Sequence, residues 1–423
     1  MTRVHLMGIG GSGVSALARL FLARGADVSG CDLKASETTR MLMAEGARIE
    51  VGHSPLHVEG QDLLVFSGAI RDGEEVEAAR RAGVRVLSRA EMLAELIAST
   101  ESLAVAGTHG KTTVTYMAGR VLVEAGFDPT VLVADGANAR AGRSRWLVAE
   151  ADESDGSLSM HRPRHAIVTN VELDHPDHFA SLQEVSLLFR EFVAALPAEG
   201  IAVLSADDEH LRTMSTPARR VTYGFAEDAD YRCGSGRPFA LCRRGRELGK
   251  IRLRVPGRHN VQNATAAAAM GLELGVPFVT VEAALAGFEG AHRRLERIGS
   301  WRGADIYDDY GHHPTEIRAT VQAARELPHK RLVLVFQPHR YTRWQALKDD
   351  FVRAFEDADE VIVSEIYSAG ESNPQNVSAA GLPNFAADFE RVRELLEASV
   401  APGDLVLFMG AGDIGRLARE LAQ

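Results

Sequence analysis

Short apolar runs alternate with stretches of helical periodicity along the whole chain. A run too short for a helix reads as a buried strand, and its regular succession by helices reads as α/β structure wound about a parallel sheet. In the first hundred residues strands are predicted at 4–7, 27–32 and 63–67, and helices at 14–23 and 91–98. A second α/β unit starts at residue 103, with strands at 146–150, 166–170 and 201–204. Inside it, 219–255 reads as a polar, strand-like insertion, followed by an alanine-rich helix. A third unit places strands at 305–308, 331–336, 361–363 and 404–408. The pattern predicts three α/β domains, at 1–98, 99–293 and 294–423. The first and last are expected to be Rossmann-like, and the Gly107–Thr113 loop of the middle one suits the P-loop ATPase type.

The sharpest chemistry lies where the second unit begins. Gly107, Thr108, His109, Gly110, Lys111, Thr112 and Thr113 sit between an apolar run and a helical pattern. A strand–glycine turn–helix junction of this kind aims backbone N–H groups and the positive helix end at a phosphate. Lys111 is placed to reach the terminal phosphates and the Thr112 hydroxyl to ligate magnesium. The loop is a shortened variant, because Val105 stands where a full P-loop has its first glycine.

A second glycine turn, Gly8 to Gly13, joins the first strand to the first helix and includes Gly10, Gly11 and Ser12. It fits a diphosphate at a helix N-terminus, or a tight structural turn. Asp32 ends the next strand, a usual place for a ribose or base contact. Alone, this fingerprint suits a dehydrogenase; with the Lys111 loop it suggests one nucleotide-linked substrate and one nucleoside triphosphate.

Acidic and imidazole groups gather at other strand ends. Glu150 opens the run to Asp155 and is placed to hold magnesium beside a γ-phosphate. Glu172, Asp174, His175 and Asp177 crowd the next strand end, where His175 can ligate or orient a second metal. His259, Asn260 and Asn263 begin a helix, where they can read a purine edge or where Asn260 can cap the helix. Tyr310, His312 and His313 follow one strand of the third unit and His339, Arg340 and Arg343 follow the next, suggesting convergence at adjacent strand ends. Arginines there suit a carboxylate clamp. The turn Gly410 to Gly415 reads equally as structural or as a phosphate neighbour.

Composition narrows the partners. A net charge of -11 argues against a broad nucleic-acid footprint, so an anionic substrate must be met by local arginines and amide nests. Three cysteines, Cys31, Cys233 and Cys242, argue against a disulfide framework and suit a cytoplasmic location. No signal peptide and no membrane-spanning run are expected.

Taken in this order, the motifs resemble the Mur ligase family of bacterial cell-wall synthesis. The residues carrying the resemblance are Gly8–Gly13, Gly107–Thr113, Glu150–Asp155, Asn170–Asp177, His259–Asn263, Asp308–Glu316, His339–Arg343, Tyr367–Glu371 and Gly410–Gly415. The resemblance implies an ATP- and Mg2+-dependent ligase of peptidoglycan precursor synthesis. Its alanine-adding branch phosphorylates the lactyl carboxylate of UDP-N-acetylmuramate, and the acyl phosphate is then attacked by the amine of L-alanine. Carried over residue by residue, Lys111 contacts the β- and γ-phosphates. Thr112 and Glu150 bind one magnesium, and Glu150 with His175 a second. His259 and Asn263 hold adenine, and Arg294 lies near the ATP phosphates. Tyr310, His312, Arg340 and Arg343 surround the muramyl-alanine end, while Gly10, Gly11, Ser12 and Asp32 contact the uridine diphosphate. The helix at 182–196 lacks the lysine that sibling ligases carbamylate, as in the alanine-adding branch. The implied assembly is a monomer or homodimer.

The chain departs from the family pattern at 133–140, which is short and poor in glycine, at Pro176 and after Glu371. The rival readings are a recycling ligase that attaches an intact murein tripeptide to the same sugar nucleotide, a non-catalytic nucleotide-binding paralogue, and a dehydrogenase. Tyr310, His312, His313 and Arg343 favour alanine addition.

Overall fold

The computed structural model describes residues 2–68, 70, 73–135, 139–154, 156–176, 178–373, 375–382 and 384–423. Asp155, Asp177 and part of the 133–140 segment lie outside the described residues. Each predicted α/β unit contains its own sheet. The first has β1 (Arg3–Met7), β2 (Asp27–Asp32), β3 (Arg48–Val51), β4 (Leu63–Phe66) and β5 (Arg85–Ser88). They run all parallel in the order β3-β2-β1-β4-β5. Val4, Leu6 and Val28 pack on one face beneath helix Ser12–Ala23, and Met7, Cys31 and Leu64 pack on the other beneath helix Glu74–Arg81.

The central sheet has ten strands: β6 (Glu101–Ala106), β7 (Thr130–Leu132), β8 (Ala139–Arg140), β9 (Trp146–Glu150), β10 (His165–Val168), β11 (Ile201–Ser205), β12 (Arg219–Gly224), β13 (Tyr231–Cys233), β14 (Phe239–Arg243) and β15 (Arg246–Ile251). The stretch predicted as an insertion is therefore the end of this sheet. Its order is β15-β14-β13-β12-β11-β10-β6-β9-β7-β8. Tyr231, Cys233, Phe239, Leu241 and Ile251 alternate with polar residues and join the core under helix Arg258–Glu273. That alternation is a half-buried sheet edge, which overall polarity disguises.

The third sheet has β16 (Glu296–Trp301), β17 (Ala304–Asp309), β18 (Leu332–Phe336), β19 (Glu360–Ser364), β20 (Phe385–Ala386) and β21 (Leu405–Met409), in the order β16-β17-β21-β18-β19-β20. Only the β16–β17 pair is antiparallel. The last strand thus enters between β17 and β18, so the two loops expected at adjacent strand ends flank the Gly410 turn instead.

The first two units share a core: Leu132, Leu147 and Ala149 of the central sheet pack with Val14, Leu17 and Leu93 of the first. No helix among the described residues is long and apolar enough to cross a membrane.

Candidate active site

Three neighbouring strand ends build the site. β6 lies between β9 and β10, and all three are parallel. Their C-terminal edge therefore brings together the Gly107–Thr113 loop, Glu150 and the segment from Asn170 to His175, the ligand edge of an open α/β sheet. Val105 pairs with Glu150, which sets the carboxylate beside the loop. Gly107 has a φ of 132°, and a Cβ there would fall 1.9 Å from Thr169 Oγ1. Helix Lys111–Glu124 starts within the loop, directly after Gly110, which leaves its first N–H groups without intrahelical partners.

Lys111 folds over its own loop. Its Nζ donates to the carbonyls of Gly107 and Thr108, at 2.7 and 3.1 Å, and to Glu153 Oε2 at 2.7 Å. Burial opposes its charge, but Glu153, Asp152 and Glu150 hold it protonated. Within this acidic run Glu153 is the nearest partner of the lysine and Asp152 lies 3.7 Å from it, whereas Glu150 faces Thr112. Burial pushes the Glu153 carboxyl up, against the pull of Lys111. Lys111 and Ser154 draw Asp152 down to about 2 in spite of its burial.

Thr112 Oγ1 donates to Glu150 at 3.0 Å, and the Ala134 N–H donates to the same carboxylate at 3.1 Å. Burial raises the Glu150 pKa. A hydroxyl and a buried carboxylate at a helix N-terminus fit a hard divalent cation, whose charge would relieve that burial. His175 follows β10, on the other side of β6 from Glu150. It has a φ of 55°, its Nε2 is 3.8 Å from Asp174 Oδ2, and no hydrogen bond or ion pair joins it to Glu150 among the described residues. Burial lowers its pKa, so it is a neutral imidazole beside Asp174 and Asp152.

A cavity of 340 Å³ adjoins the loop, between the central and C-terminal units. His259, Asn263 and Arg294 line it, together with His109, Gly110 and Thr113. Burial and the Arg294 cation lower the His259 pKa to about 4, leaving a neutral ring with one donor and one acceptor. Asn260 does not cap the helix: Gly257 occupies that position, and Asn260 Nδ2 donates back to the Pro256 carbonyl at 2.6 Å. Arg294 reaches Glu316 at 3.5 Å and stands over the Tyr310 ring.

The C-terminal unit closes on the loop through contacts that no local pattern announced. His109 Nε2 lies 3.0 Å from Glu172, and its Nδ1 lies 3.6 Å from Glu316. Burial works against its charge, but these two carboxylates raise its pKa to about 10. Thr315 Oγ1 donates to Glu172 at 2.6 Å. Arg343 is buried, and its Nε and Nη2 donate to Asp174 Oδ1 at 2.9 and 2.7 Å. The expected carboxylate clamp is thus engaged with a carboxylate of the protein itself. His312 and His339 face each other with ring centres 5.6 Å apart, and burial with the Arg343 cation lowers the His312 pKa to about 3. Arg340 reaches Glu371 at 3.5 Å. The Gly410 turn is held from within the C-terminal unit: Gln337 donates to Asp413 and accepts from the Ile414 N–H, while Arg293 donates to the Gly410 carbonyl.

In the first sheet, Asp32 Oδ2 accepts from the Gly10 N–H at 2.9 Å and so shapes the turn between β1 and its helix. A Cβ on Gly13 would meet Arg89 Cδ at 2.6 Å, which brings a cation against the Gly11 and Ser12 helix start.

Comparison with known proteins agrees with this geometry. Models of the Mur ligase family catalytic domain, the Mur ligase middle domain and the Mur ligase glutamate ligase domain match residues 3–101, 105–271 and 293–412. The UDP-N-acetylmuramate–L-alanine ligase of Sorangium cellulosum is 44% identical, over 99% of this chain and 95% of that one. The crystal structure of the UDP-N-acetylmuramate–alanine ligase of Thermotoga maritima superposes with a TM-score of 0.82 at 29% identity, covering 100% of this chain and 98% of that one. A murein peptide ligase from Psychrobacter arcticus shares the fold, with a TM-score of 0.74 at 24% identity and coverage of 100% and 98%. The chain belongs to the Mur ligase family.

Proposed function

We propose that the protein joins L-alanine to the lactyl carboxylate of UDP-N-acetylmuramate, using ATP and magnesium and passing through an acyl phosphate. The observation that carries this reading is the end-to-end similarity, at 44% identity, to a ligase of that name. The Lys111 loop, with Thr112 beside Glu150, is the matching local chemistry.

A carboxylate resists an amine until it gains a leaving group, so the work of the chain is positioning and charge neutralisation. Lys111 exchanges Glu153 for the β- and γ-phosphates, and the loop N–H groups hold their oxygens. Thr112 and Glu150 would hold magnesium, which supplies charge neutralisation at the phosphates, and Glu150 with His175 would hold a second ion. His259 and Asn263 read adenine in the cavity, and Arg294 faces the phosphates from the C-terminal side. Gly10, Gly11, Ser12 and Asp32 seat the uridine diphosphate. Tyr310, His312, Arg340 and Arg343 seat the muramyl and alanine groups, with His312 as a neutral hydrogen-bonding ring. The functional boundaries proposed are 1–98 for the sugar nucleotide, 99–293 for ATP and 294–423 for the amino acid, acting together in the cytoplasm.

The test is phosphate release from ATP with magnesium and UDP-N-acetylmuramate, comparing L-alanine, a murein tripeptide and no amine. Release that depends on L-alanine, with the ligated product seen by mass, supports the reading. Release only with tripeptide replaces it with the recycling reaction.

A further inference from the structure

The first sheet carries a cluster that the ligation chemistry does not use. His5, Cys31, His57 and Glu75 each offer one donor atom, and these atoms all lie within 4.8 Å of one another. His5 Nε2 and His57 Nδ1 both lie 2.9 Å from Glu75 Oε1, and Cys31 Sγ is 3.4 Å from Glu75 Oε2. The site is under the sheet, on the face opposite helix Ser12–Ala23, among Met7, Val58, Leu64 and Val76. His5, Cys31 and Glu75 are 2%, 0% and 1% exposed.

Three features set this apart from a hydrogen-bonded core cluster. The donors are two imidazoles, one thiol and one carboxylate, the set that suits a tetrahedral zinc-class ion. Thiolate and carboxylate together balance a dication, so the site could be neutral when filled. Each imidazole is also held from behind: His5 Nδ1 lies 2.9 Å from Ser29 Oγ, and His57 Nε2 lies 3.1 Å from Glu50. Such outer partners set which ring nitrogen faces an ion. His5 Nε2 itself is buried and makes no hydrogen bond of proper geometry. His53, more exposed, is 3.1 Å from Cys31 Sγ and offers an entry ligand.

We propose that His5, Cys31, His57 and Glu75 form a binding site for a zinc-class divalent ion, separate from the magnesium site at Glu150. The ion would pin helix Glu74–Arg81 and the turn Pro55–Val58 to β1 and β2. Its reach extends to the sugar-nucleotide turn, because the Cys31 carbonyl accepts the Gly8 and Ile9 N–H groups at 2.8 and 3.1 Å.

The test is cobalt(II) titration of the chelator-treated full-length protein without nucleotide. One equivalent should give ligand-field bands of a tetrahedral ion and a near-ultraviolet thiolate-to-cobalt band. Cys31→Ser should lose the thiolate band, whereas a Cys233→Ser, Cys242→Ser double variant should keep it. Glu50→Gln, which touches only the outer hydrogen bond and leaves all four donors in place, should weaken cobalt binding about 10-fold. Zinc should raise the melting temperature of the parent protein and leave that of the Cys31 variant unchanged. No thiolate band with one equivalent of cobalt, or an equal band in Cys31→Ser, overturns the proposal. Circular dichroism of each variant shows that the loss is not unfolding.

Discussion

Arg343 and Asp174, 169 residues apart, form a buried ion pair between the C-terminal and central units, with guanidinium nitrogens 2.7 and 2.9 Å from one carboxylate oxygen. Arg343 holds Asp174 far below the usual carboxylate range, against the burial that would raise it. Asp174 adjoins His175, and Arg343 adjoins His312 electrostatically, so the pair ties the central-unit side of the cleft to its C-terminal side.

Removing one member of such a pair leaves an uncompensated buried charge, at a cost of about 3–5 kcal/mol. Arg343→Ala is therefore expected to lower product formation more than ATP binding, and to lower the urea midpoint. Asp174→Asn should do the same, and the double variant should recover part of the stability. Initial rates, nucleotide titration and urea melts distinguish these effects. Unchanged ligation in Arg343→Ala would remove this residue from the site.

Lys111→Ala should abolish ATP turnover while UDP-sugar binding survives, because Lys111 lies in the central unit and Asp32 and Gly10 in the first. The same substitution leaves Glu153 buried without its cation, so a modest loss of stability should accompany it. Equilibrium binding of UDP-N-acetylmuramate is the decisive measurement. Loss of turnover and of UDP-sugar binding together would mean misfolding or a wrong assignment of the domains.

His109 gives the contact between the units a pH dependence. Its folded pKa is about 10, above the ordinary histidine value of 6.5. A raised pKa contributes stability that is complete below pH 6.5 and is lost as pH rises through 10. Urea midpoints should therefore fall across this range more steeply in the parent than in His109→Gln. Parallel curves would mean that Glu172 and Glu316 do not hold the charge.

What could be read from the chain divides by sequence distance. The Lys111 loop and the Glu150 strand end were legible because each is one contiguous strand-to-loop junction. The helix start at His259 was legible as an element, although the cap fell to Gly257. Thr315 with Glu172, 143 residues apart, and Arg343 with Asp174 were not, since only the closing of one sheet on another makes them neighbours. β21 threading between β17 and β18 was invisible for the same reason. His5, Cys31, His57 and Glu75 escaped notice because no two share a spacing typical of a metal motif; parallel pairing of β1 with β2 brings the first two together. The polar stretch from β12 to β15 misled by its composition, while its alternation carried the correct signal.

Gly110 links the loop that carries Lys111 to the cavity lined by His259 and Asn263. Its φ is 84°, a conformation that costs an L residue about 1–2 kcal/mol, and a Cβ there would stand 2.8 Å from Asn263 Oδ1. Gly110→Ala should thus displace the carboxamide assigned to adenine and strain the turn that carries Lys111. Loss of one hydrogen bond to the base corresponds to about a 3- to 10-fold rise in KM for ATP. Asn263→Ala should give a similar rise by removing the carboxamide outright. In the double variant the clash has no partner, so the two effects should fall short of additivity by about 0.5 kcal/mol or more. Full additivity in a double-mutant cycle on KM would show that the glycine acts through backbone strain alone. The KM for L-alanine should stay near the parent value in both single variants, because its proposed ligands lie on the loops after β17 and β18.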